Sequence, residues 1–584
     1  MLKTKAPMLR FLYYFNAGLF MLVLQGGLAS LCKAQTRVRD YEWLPLEKRA
    51  SFGKIPANWT FADSVAIHPE KLNLLKIIPG SRILVGKPGD VIVPSLSGRN
   101  FKLYLAYSLS PGASATISLP GGGFVVISEG RRTDDEKVSG FTGLPPSQDA
   151  GKTAGLSQTL EIDYESDIPG LGDKARINEV RINGVIVQQG QYTDNRPSSP
   201  AISIRIDKGT AVFYAIGFQK FENRRPVLLS GLTYKIYNDD WDSRTTDKLA
   251  LSGTSPELTF EVAEDRKNYN LVYEGDLIVK ENGDYNFTTF YTGAYCQLSI
   301  DGNVVLDTDH STSQEAHQTN VRIEAGRHRI RLWYSKLPWE RAALGLRVGK
   351  TGVRDYDLHA LSSLPEPPVK PFLSARPGTQ QPEMIRSFIR FPGETHKRTH
   401  CLSVGTPLQR SFSIDLNRAA LLQVWSGEFA NTTEMWYERG EPQLLTPLGQ
   451  TEIISGRSSF ARLPTADAPW VDSASVGFMG YRIDSRGYPA IRYTLGPSVI
   501  EDAITTTERS INRTITPERN ASSGNYVLLA EGRQIVPVEK GLYIVDGRYY
   551  IKAGGNIAPI LRKSKGKAEL LLQLAQPVSY SIIW

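Results

Sequence analysis

Cysteine is scarce in this 584-residue sequence, which contains three cysteines and seven histidines. No Cys-x-x-Cys pair occurs, so the spacing of a cysteine-based zinc site and the Cys-x-x-Cys-His pattern of covalent haem attachment are both missing. Cys296 and Cys401 are far apart in the chain. Although an exported protein could join them, we expect two buried small apolar residues rather than a disulfide.

Signatures of several common enzyme classes are missing too. The sequence has no Gly-x-Ser-x-Gly elbow, no His-Glu-x-x-His helix and no Gly-x-x-x-x-Gly-Lys loop. These patterns place a nucleophilic serine, two zinc-binding histidines and a phosphate cradle, respectively. Motif evidence therefore excludes an assignment as a serine hydrolase of that type, a zinc metalloprotease or a P-loop nucleotidase.

Only one long apolar run is present, from Phe11 to Leu24, and basic residues precede it. It ends in a small-residue segment that closes with Cys32-Lys33-Ala34, which predicts a secretory signal peptide over residues 1–34. A membrane-spanning helix needs about 20 apolar residues, so this run is short for an anchor, and no later segment reaches that length. Lipidation of Cys32 is the alternative, with Leu31 bulky for such a site.

The net positive charge is small once residues 1–34 are left out. The formal net charge is +8, and residues 1–34 contribute four basic and no acidic residues, which leaves +4 for the rest. Proteins that bind nucleic acid neutralise many phosphates with Lys and Arg. We therefore expect a secreted, periplasmic or extracellular protein of a bacterial envelope, without a nucleic-acid partner and without a membrane span.

The pattern that dominates the remaining chain is short alternation of apolar and polar residues between Gly, Pro, Asn and Asp, as in 101–105, 201–206 and 328–332. Period-two alternation with closely spaced turns predicts antiparallel strands in sandwiches or barrels. Asn183-Gly184 and Asp301-Gly302 are predicted hairpin turns. The fold class predicted is all-β, with tandem β-sandwich or jelly-roll modules.

The length favours several modules, because single cores stop growing near about 250–300 residues. Leu364-Pro365-Glu366-Pro367-Pro368-Val369-Lys370-Pro371 is a stiff, donor-poor stretch, typical of a spacer between an N-terminal pair of modules and a C-terminal one. The predicted order after the signal peptide is a jelly-roll module at 50–224, a sandwich at 228–352, a Pro-rich linker at 363–382 and a β-rich C-terminal module at 383–584.

The middle module resembles the protective-antigen-type domain, a β-sandwich of bacterial glycosidases, adhesins and toxins. The resemblance rests on five phrases in matching order: Gly231-Leu232-Thr233-Tyr234, Gly283-Asp284-Tyr285-Asn286-Phe287, Leu298-Ser299-Ile300-Asp301-Gly302, Glu324-Ala325-Gly326-Arg327-His328 and Ile330 to Tyr334. Sugar-binding members hold calcium with two adjacent aspartates, and those positions here are Gly293-Ala294. A different calcium site could lie at Asp307 and Asp309 or at Asp239, Asp240 and Asp242, with solvated turn residues as the alternative interpretation of these aspartates.

The N-terminal module resembles the 3-keto-disaccharide hydrolase family, whose fold is a concanavalin-like jelly roll. The supporting phrases are Phe101 to Leu105 with Ser110-Pro111-Gly112, Gln158 to Ile162, Val180 to Val185, and Asp207-Lys208-Gly209 with Val212-Phe213. The resemblance implies attack on glycosides oxidised at sugar carbon 3, which needs a base, an acid and a group that steadies the enolate. A strand expected to be polar reads Phe124-Val125-Val126-Ile127, so the catalytic candidates are Glu129, Asp149 and Asp207, with loop or turn acids as the alternative.

The C-terminal module resembles an uncharacterised module of secreted bacterial proteins linked to c-type cytochromes and sugar dehydrogenases. The phrases include Val404-Gly405-Thr406-Pro407, Leu421 to Phe429, Gly480 to Asp484 and Ser579 to Trp584. Four aromatic residues here could stack on the apolar face of a pyranose, with core packing as the alternative. They are Trp425, Trp436, Tyr437 and Trp470.

Three functions follow from these observations. The first is a secreted bacterial protein that binds or processes carbohydrate. The second is a hydrolase or lyase that cleaves 3-keto-glycosides with its N-terminal module, and the third is a structural or interaction protein of an envelope assembly. The predicted partners are glycans and envelope proteins.

Overall fold

The structure is a computed structural model, and it describes residues 41–584 except 73, 130–144, 167–173, 195–201, 239–243, 313, 367–371, 438–442, 472–475, 520–523 and 556–557. The predicted signal peptide and part of the predicted linker therefore lie outside the described residues. The chain forms two compact units, one from residues up to 218 together with 371–584 and the other from 219–370.

Nearly all regular structure in the described residues is β, which confirms the predicted fold class of several β-sandwich modules. The one α-helix described, α1, is the single turn Thr433–Trp436. No described helix has the length and apolarity needed to cross a bilayer. The regular structure of the described residues is thus built almost wholly from β-sheets.

The N-terminal part of the first unit is a sandwich of two sheets with strand orders β2-β3-β11-β4-β7-β8-β9 and β10-β5-β6, and β1 pairs with β11. Its strands are β1 (Glu42–Trp43), β2 (Trp59–Ile67), β3 (Leu75–Gly86), β4 (Asn100–Leu109), β5 (Ser114–Ser118), β6 (Phe124–Ser128), β7 (Gln158–Glu165), β8 (Lys174–Ile182), β9 (Val185–Asp194), β10 (Ser203–Lys208) and β11 (Ala211–Phe221). Alternate residues such as Leu103, Ile162 and Ile117 are buried in one apolar core between the sheets.

The second unit is a sandwich of a six-stranded sheet, β13-β12-β14-β19-β16-β17, and a four-stranded sheet, β18-β15-β20-β21. Its strands are β12 (Val227–Asn238), β13 (Leu249–Thr254), β14 (Tyr269–Val279), β15 (Gly283–Thr292), β16 (Tyr295–Ile300), β17 (Asn303–Thr308), β18 (Ala316–Ile323), β19 (Gly326–Lys336), β20 (Ala343–Lys350) and β21 (Val353–Asp357). Buried tyrosines and leucines fill the space between these sheets.

The C-terminal part of the first unit contains four sheets with strand orders β22-β27-β28, β23-β24-β25-β26-β29, β30-β35-β40-β39 and β31-β32-β33-β34-β41-β38-β37-β36. Its first ten strands are β22 (Ser374–Ala375), β23 (Glu383–Ile389), β24 (Arg398–Gly405), β25 (Arg410–Asp415), β26 (Ala420–Ser426), β27 (Ala430–Asn431), β28 (Thr446–Pro447), β29 (Gln450–Ile453), β30 (Phe460–Arg462) and β31 (Val476–Ile483). The other ten are β32 (Pro489–Leu495), β33 (Ser498–Thr506), β34 (Ser510–Arg519), β35 (Asn525–Gly532), β36 (Ile535–Glu539), β37 (Leu542–Val545), β38 (Tyr549–Ala553), β39 (Ile560–Ser564), β40 (Lys567–Gln573) and β41 (Val578–Ile583).

The N-terminal and C-terminal parts are joined by ion pairs between residues distant in sequence. Lys152 pairs with Glu452, and Asp149 pairs with Arg410. This grouping differs from the sequence expectation of an N-terminal pair of modules set apart from the C-terminal one. Such long-range pairs leave no local sequence pattern, so alternation and spacers do not reveal them.

Two local expectations are confirmed. Asn183-Gly184 and Asp301-Gly302 both have positive φ angles, as the predicted hairpin turns require. Cys296 and Cys401 are unbonded and buried, as expected from their separation. Burial raises the pKa of both thiols to about 12, so both stay protonated at neutral pH.

Candidate functional site

The predicted catalytic carboxylates Glu129, Asp149 and Asp207 each have protein partners. Glu129 follows β6 and accepts a hydrogen bond from the backbone N–H of Gly112 at 2.7 Å. Asp149 accepts one from the Arg410 guanidinium at 3.0 Å. Two of these three carboxylates thus hold loops or join the two parts of the first unit, and their catalytic role stays a prediction.

Asp207 lies on the three-stranded sheet. One of its oxygens accepts a hydrogen bond from the hydroxyl of Thr116 at 2.6 Å, and the other accepts one from Arg205 at 2.7 Å. Both partners belong to neighbouring positions of the same sheet, so the carboxylate is tied within the sheet surface. No hydrogen bond joins Asp207 to Glu129 or Asp149 among the described contacts.

The space between the two N-terminal sheets is filled. Its residues from β5, β6 and β10 are apolar and at most 1% exposed: Ala115, Ile117, Val125, Ile127, Ile204 and Ile206. The strand Phe124–Ser128, which the sequence comparison expected to be polar, contributes two of these. An apolar interior offers no proton acceptor, so a catalytic carboxylate of this module must lie outside it.

The opposite side of the eight-stranded sheet carries such a surface, which we call the polar face. Its side chains come from alternate positions of β4, β7 and β8, because the residues between them enter the core. On β7 the outward residues include three carboxylates at every second position, Glu161, Asp163 and Glu165. The polar face further includes Trp43, Lys102, Tyr104, Arg176, Asn178, Glu179 and Arg181.

Hydrogen bonds and ion pairs between neighbouring strands fix the side chains of the polar face. Asp163 accepts a hydrogen bond from Asn178 at 3.0 Å and lies 3.6 Å from the ammonium of Lys102. Glu165 accepts one from Arg176 at 2.8 Å. Burial lowers the pKa of Arg176, but its hydrogen bonds with Tyr192 and Glu165 outweigh that effect and the pKa is raised. These charges are therefore fixed in position before any ligand arrives.

The charged groups of the polar face are recessed. The side chains of Asp163 and Glu165 are 19% and 13% exposed. Recessed polar groups of this kind form stronger hydrogen bonds with a ligand than fully hydrated ones do.

An aromatic shelf borders these carboxylates. The ring of Trp43, on β1, packs edge-on against Tyr104 with centroids 5.4 Å apart, and Tyr41 lies 5.8 Å from Tyr104. Trp43 remains 40% exposed, whereas Tyr104 is 3% exposed. Burial, with a smaller effect of the Glu161 charge, raises the pKa of Tyr104, so its hydroxyl stays protonated and can donate a hydrogen bond.

A glycine lets the shelf form. β1 pairs with β11 so that Trp43 lies across from Gly217. A Cβ atom at residue 217 would approach the Trp43 ring to 3.0 Å, which is tighter than normal packing allows. Sequence reasoning missed this site, although the signal was present: Glu161, Asp163 and Glu165 alternate with apolar residues in a strand pattern.

The four predicted stacking residues of the C-terminal module are not brought together. Trp425 is fully buried, stacks on Phe429 and donates its indole N–H to the Phe429 carbonyl at 2.8 Å. Trp470 is 2% exposed and donates to the Ser458 carbonyl at 3.0 Å. This corrects the four-ring platform, because a buried ring cannot stack on a sugar.

Trp436 and Tyr437 are different, since they are 55% and 58% exposed. They lie at the end of α1, which is anchored by a hydrogen bond from the Leu373 backbone N–H to Thr433 at 3.0 Å. Phe372, next to this anchor, is 59% exposed. The sugar-stacking role of Trp436 and Tyr437 stays a prediction.

The predicted calcium ligands Asp307 and Asp309 are paired with the side chain of Arg244. Arg244 hydrogen-bonds Asp307 at 3.0 Å and Asp309 at 3.4 Å, and its guanidinium lies 4.4 Å from the Tyr295 ring centroid. Asp239, Asp240 and Asp242 are outside the described residues. No group of three or more metal-ligating side chains is found in the described part of the chain. An arginine already neutralises the pair, which argues against Asp307 and Asp309 as calcium ligands.

Comparisons with known proteins give limited information. No family model matches the chain, and no curated protein matches it. Among solved structures, a β-glucosidase from Kluyveromyces marxianus in complex with glucose is 17% identical, with 20% of this chain and 15% of that chain covered and a TM-score of 0.17. The chain thus spans about 15% of that enzyme's length.

Two smaller domains are matched over most of their own length. The Epithelial Adhesin 9 A domain from Candida glabrata, solved with Galβ1-3GlcNAc, is 12% identical, with 24% of this chain and 91% of that one covered and a TM-score of 0.19. The PA14 domain of an antifreeze protein is 16% identical, with 24% and 93% covered and a TM-score of 0.18. Similarity at this level assigns neither a family nor a function to the chain.

Proposed function

We propose that this chain is a carbohydrate-interacting protein whose sugar-binding surface is the polar face of the N-terminal sandwich. The observation that carries the proposal is the position of the Trp43 ring, half exposed beside Tyr104 and the carboxylates of β7. A flat ring covers the apolar face of a pyranose, while carboxylates and guanidinium groups bond its hydroxyls. The polar face supplies both kinds of group.

The balance of charges on the polar face supports binding of a neutral, hydroxyl-rich ligand. Carboxylate and basic side chains alternate across β4, β7 and β8, so the face has donors and acceptors but no strong excess of either charge. A strongly acidic or basic ligand would meet repulsion from half of these groups. Sugar hydroxyls, which both donate and accept, match such a mixed surface.

We further propose that the protein is exported and acts at the cell envelope. The apolar run that predicts a signal peptide would deliver the protein to the cell exterior or periplasm, where glycans are present. Trp436 and Tyr437 would then offer a second, smaller aromatic contact on the C-terminal part. Association with envelope proteins would place the sugar-binding surface against the cell wall.

Binding to a panel of polysaccharides tests the proposal. Affinity electrophoresis of the purified chain against glucans, xylan, chitin and peptidoglycan fragments identifies the ligand, and calorimetry with its oligosaccharides measures affinity. Trp43→Ala should weaken binding at least tenfold, which corresponds to about 1.4 kcal/mol. Trp339→Ala is the matched control, because Trp339 is 58% exposed on the second unit.

Retention of full affinity by Trp43→Ala would overturn the assignment of the polar face. Absence of binding to every polysaccharide of the panel would overturn the proposed function itself. Asp163→Asn is a further variant, because it removes the charge that holds Lys102 and Asn178 and keeps the shape of the side chain.

A second candidate function is cleavage of 3-keto-glycosides, and the three carboxylates of β7 favour it. A base at Glu161 would take the proton from sugar carbon 2, next to the ketone, and leave an enolate. The enolate would then collapse to form a double bond between carbons 1 and 2 as the glycosidic C–O bond breaks and an acid protonates the leaving oxygen. Tyr104 lies directly across from Glu161 in the β4–β7 pair and its hydroxyl stays protonated, so it is the candidate acid. Release of p-nitrophenol from its 3-keto-glucoside tests this reaction.

Glu161→Gln should lower that release at least a hundredfold if Glu161 is the base. Asp207→Asn is the comparison variant, since Asp207 lies on the other sheet. If Asp207→Asn loses activity and Glu161→Gln keeps it, the base would be one of the carboxylates predicted from sequence rather than Glu161.

A further inference from the structure

A second exposed ring, that of Tyr192 on β9, borders the polar face. Tyr192 lies directly across from Arg176 of β8, and Arg176 lies directly across from Glu165 of β7. Residues directly opposite in an antiparallel pair point to the same face of the sheet. Arg176 also hydrogen-bonds both of these neighbours, which agrees with that direction. Tyr192, which is 55% exposed, therefore lies on the same side of the sheet as the β7 carboxylates.

The ring of Trp43 lies at the opposite corner of this surface. Its neighbour Tyr104 on β4 lies directly across from Glu161 of β7, four residues before Glu165. The strand order β4-β7-β8-β9 puts three strand spacings between Tyr104 and Tyr192. Strands lie about 4.8 Å apart and residues along a strand about 3.3 Å apart, so the two positions are separated by about 20 Å on a diagonal.

Polar side chains lie along the diagonal between the two rings. Asp163 is at its middle, on β7. Beside it β8 bulges, with Asn178 as the extra residue, and a bulge re-aims the side chains that it contains. Asn178 is only partly buried and donates a hydrogen bond to Asp163 at 3.0 Å. Arg176 follows towards Tyr192. A carboxylate, an amide and a guanidinium thus lie on the line between the rings, and each can bond a sugar hydroxyl.

We propose that the polar face binds a neutral oligosaccharide chain along this diagonal, from the ring of Trp43 to the ring of Tyr192. The inference rests on the proposed function and adds to it the length and the direction of the ligand. A disaccharide stacked on Trp43 ends short of Tyr192, because the two rings are about 20 Å apart. A longer chain reaches the second ring and gains its contact area. The ligand class is therefore a segment of polysaccharide rather than a free disaccharide.

Calorimetry of the full chain with β-linked gluco-, xylo- and N-acetylglucosamine oligosaccharides of two and six units tests this inference. In the series that binds, the hexasaccharide should bind at least tenfold more tightly than the disaccharide. Tyr192→Ala should remove that gain and leave the affinity for the disaccharide unchanged. Trp43→Ala should weaken the binding of both lengths, because both stack on Trp43.

Tyr192→Phe is the matched variant, because it keeps the ring and removes the hydroxyl that Arg176 bonds. It should bind the hexasaccharide within about twofold of the parent chain. An equal loss in Tyr192→Phe and Tyr192→Ala would show that the tyrosine acts by holding Arg176, and would overturn the stacking contact. Tyr481→Ala is the background control, since Tyr481 is 38% exposed on β31 of the C-terminal part.

The outcomes separate this inference from the proposed function. Equal affinities for the two lengths, or a hexasaccharide affinity that Tyr192→Ala leaves unchanged, overturn the diagonal chain and leave the Trp43 site in place. Failure of every oligosaccharide to bind overturns the proposed function and this inference with it. Near-ultraviolet circular dichroism of each variant shows whether a lost affinity comes from a lost ring or from a lost fold.

Discussion

Lys152 and Glu452 form an ion pair of 2.6 Å between the N-terminal and C-terminal parts, and their side chains are only 13% and 5% exposed. Burial raises the pKa of Glu452, but the charges of Lys152 and Arg548 outweigh burial and the pKa is lowered. The carboxylate is therefore ionised in the folded protein. The pair is one of several contacts, with Asp149–Arg410 and Glu70–Lys552, that join two segments separated by the whole second unit.

We predict that Lys152→Met lowers the free energy of unfolding by about 3 kcal/mol, because it leaves the buried Glu452 carboxylate with one cationic partner, Arg548, and the amide of Gln450. Urea denaturation measures the change. Lys71→Met is the control, since Lys71 is 54% exposed in its pair with Glu539 and its loss should cost under about 1 kcal/mol. Equal effects of the two variants would contradict the importance of burial.

The lowered pKa of Glu452 also predicts a pH dependence. A depressed carboxyl pKa contributes stability that is present above the unfolded value, near 4.5, and is lost as pH falls through the folded value. The destabilisation by Lys152→Met should thus be full at pH 7 and shrink in acid. A difference between variant and parent that stays constant down to pH 3 would contradict this origin.

Limited proteolysis should show whether the two parts of the first unit stay associated after the chain between them is cut. We predict that cleavage in the Pro-rich stretch around Pro365 and in the segment before Val227 releases the second unit. The N-terminal and C-terminal fragments should then co-elute in size exclusion, because ion pairs such as Asp149 with Arg410 hold them together. Separate elution of these fragments, or a first cut inside Gly231 to Lys350, would contradict the division.

Sequence patterns predicted the local structure well, because turns and alternation depend on neighbouring residues. Asn183-Gly184 and Asp301-Gly302 are examples, and the all-β class is another. Alternation does not reveal which face of a strand another element covers, so Trp425 was expected at the surface and lies in the core. The polar face was missed for a related reason, since it combines β1, β4, β7 and β8.

The second unit should show its own pH dependence through His328. Its ring nitrogen lies 2.6 Å from Asp301, and this hydrogen bond raises the pKa of His328 and lowers that of Asp301. A raised histidine pKa contributes stability below about 6.5, which is lost as pH rises through the folded value. The Asp301 contribution is present above about 3.9 and is lost in acid.

His328→Asn should therefore destabilise the second unit more at pH 5.5 than at pH 9. Thermal unfolding of the chain at the two pH values, followed by near-ultraviolet circular dichroism, measures this difference. His317→Asn is a suitable comparison, because no carboxylate of the described residues lies at salt-bridge distance from His317. An equal loss for His328→Asn at both pH values would show that the histidine acts through packing alone.

Arg513 and Asp502 allow the sharpest test of the core of the C-terminal part. They form a bidentate pair of 2.8 and 2.6 Å, and Arg513 also donates to Ser459 and Tyr580 at 2.9 and 3.0 Å. Burial lowers the pKa of Arg513, but the charge of Asp502 outweighs it and the pKa is raised. Both side chains are at most 1% exposed, so both are shielded from bulk solvent.

We predict that Arg513→Met costs roughly 3 to 5 kcal/mol of unfolding free energy, because Asp502 is left as a lone buried charge. The unfolding free energy of Arg513→Lys should lie between those of Arg513→Met and the parent. An ammonium group keeps the positive charge but cannot make the two parallel hydrogen bonds of a guanidinium. Arg513→Met combined with Asp502→Leu should regain much of the loss, because no uncompensated charge remains. If the double variant is instead as unstable as the sum of the single ones, the hydrogen bonds to Ser459 and Tyr580, rather than charge neutralisation, hold this core together.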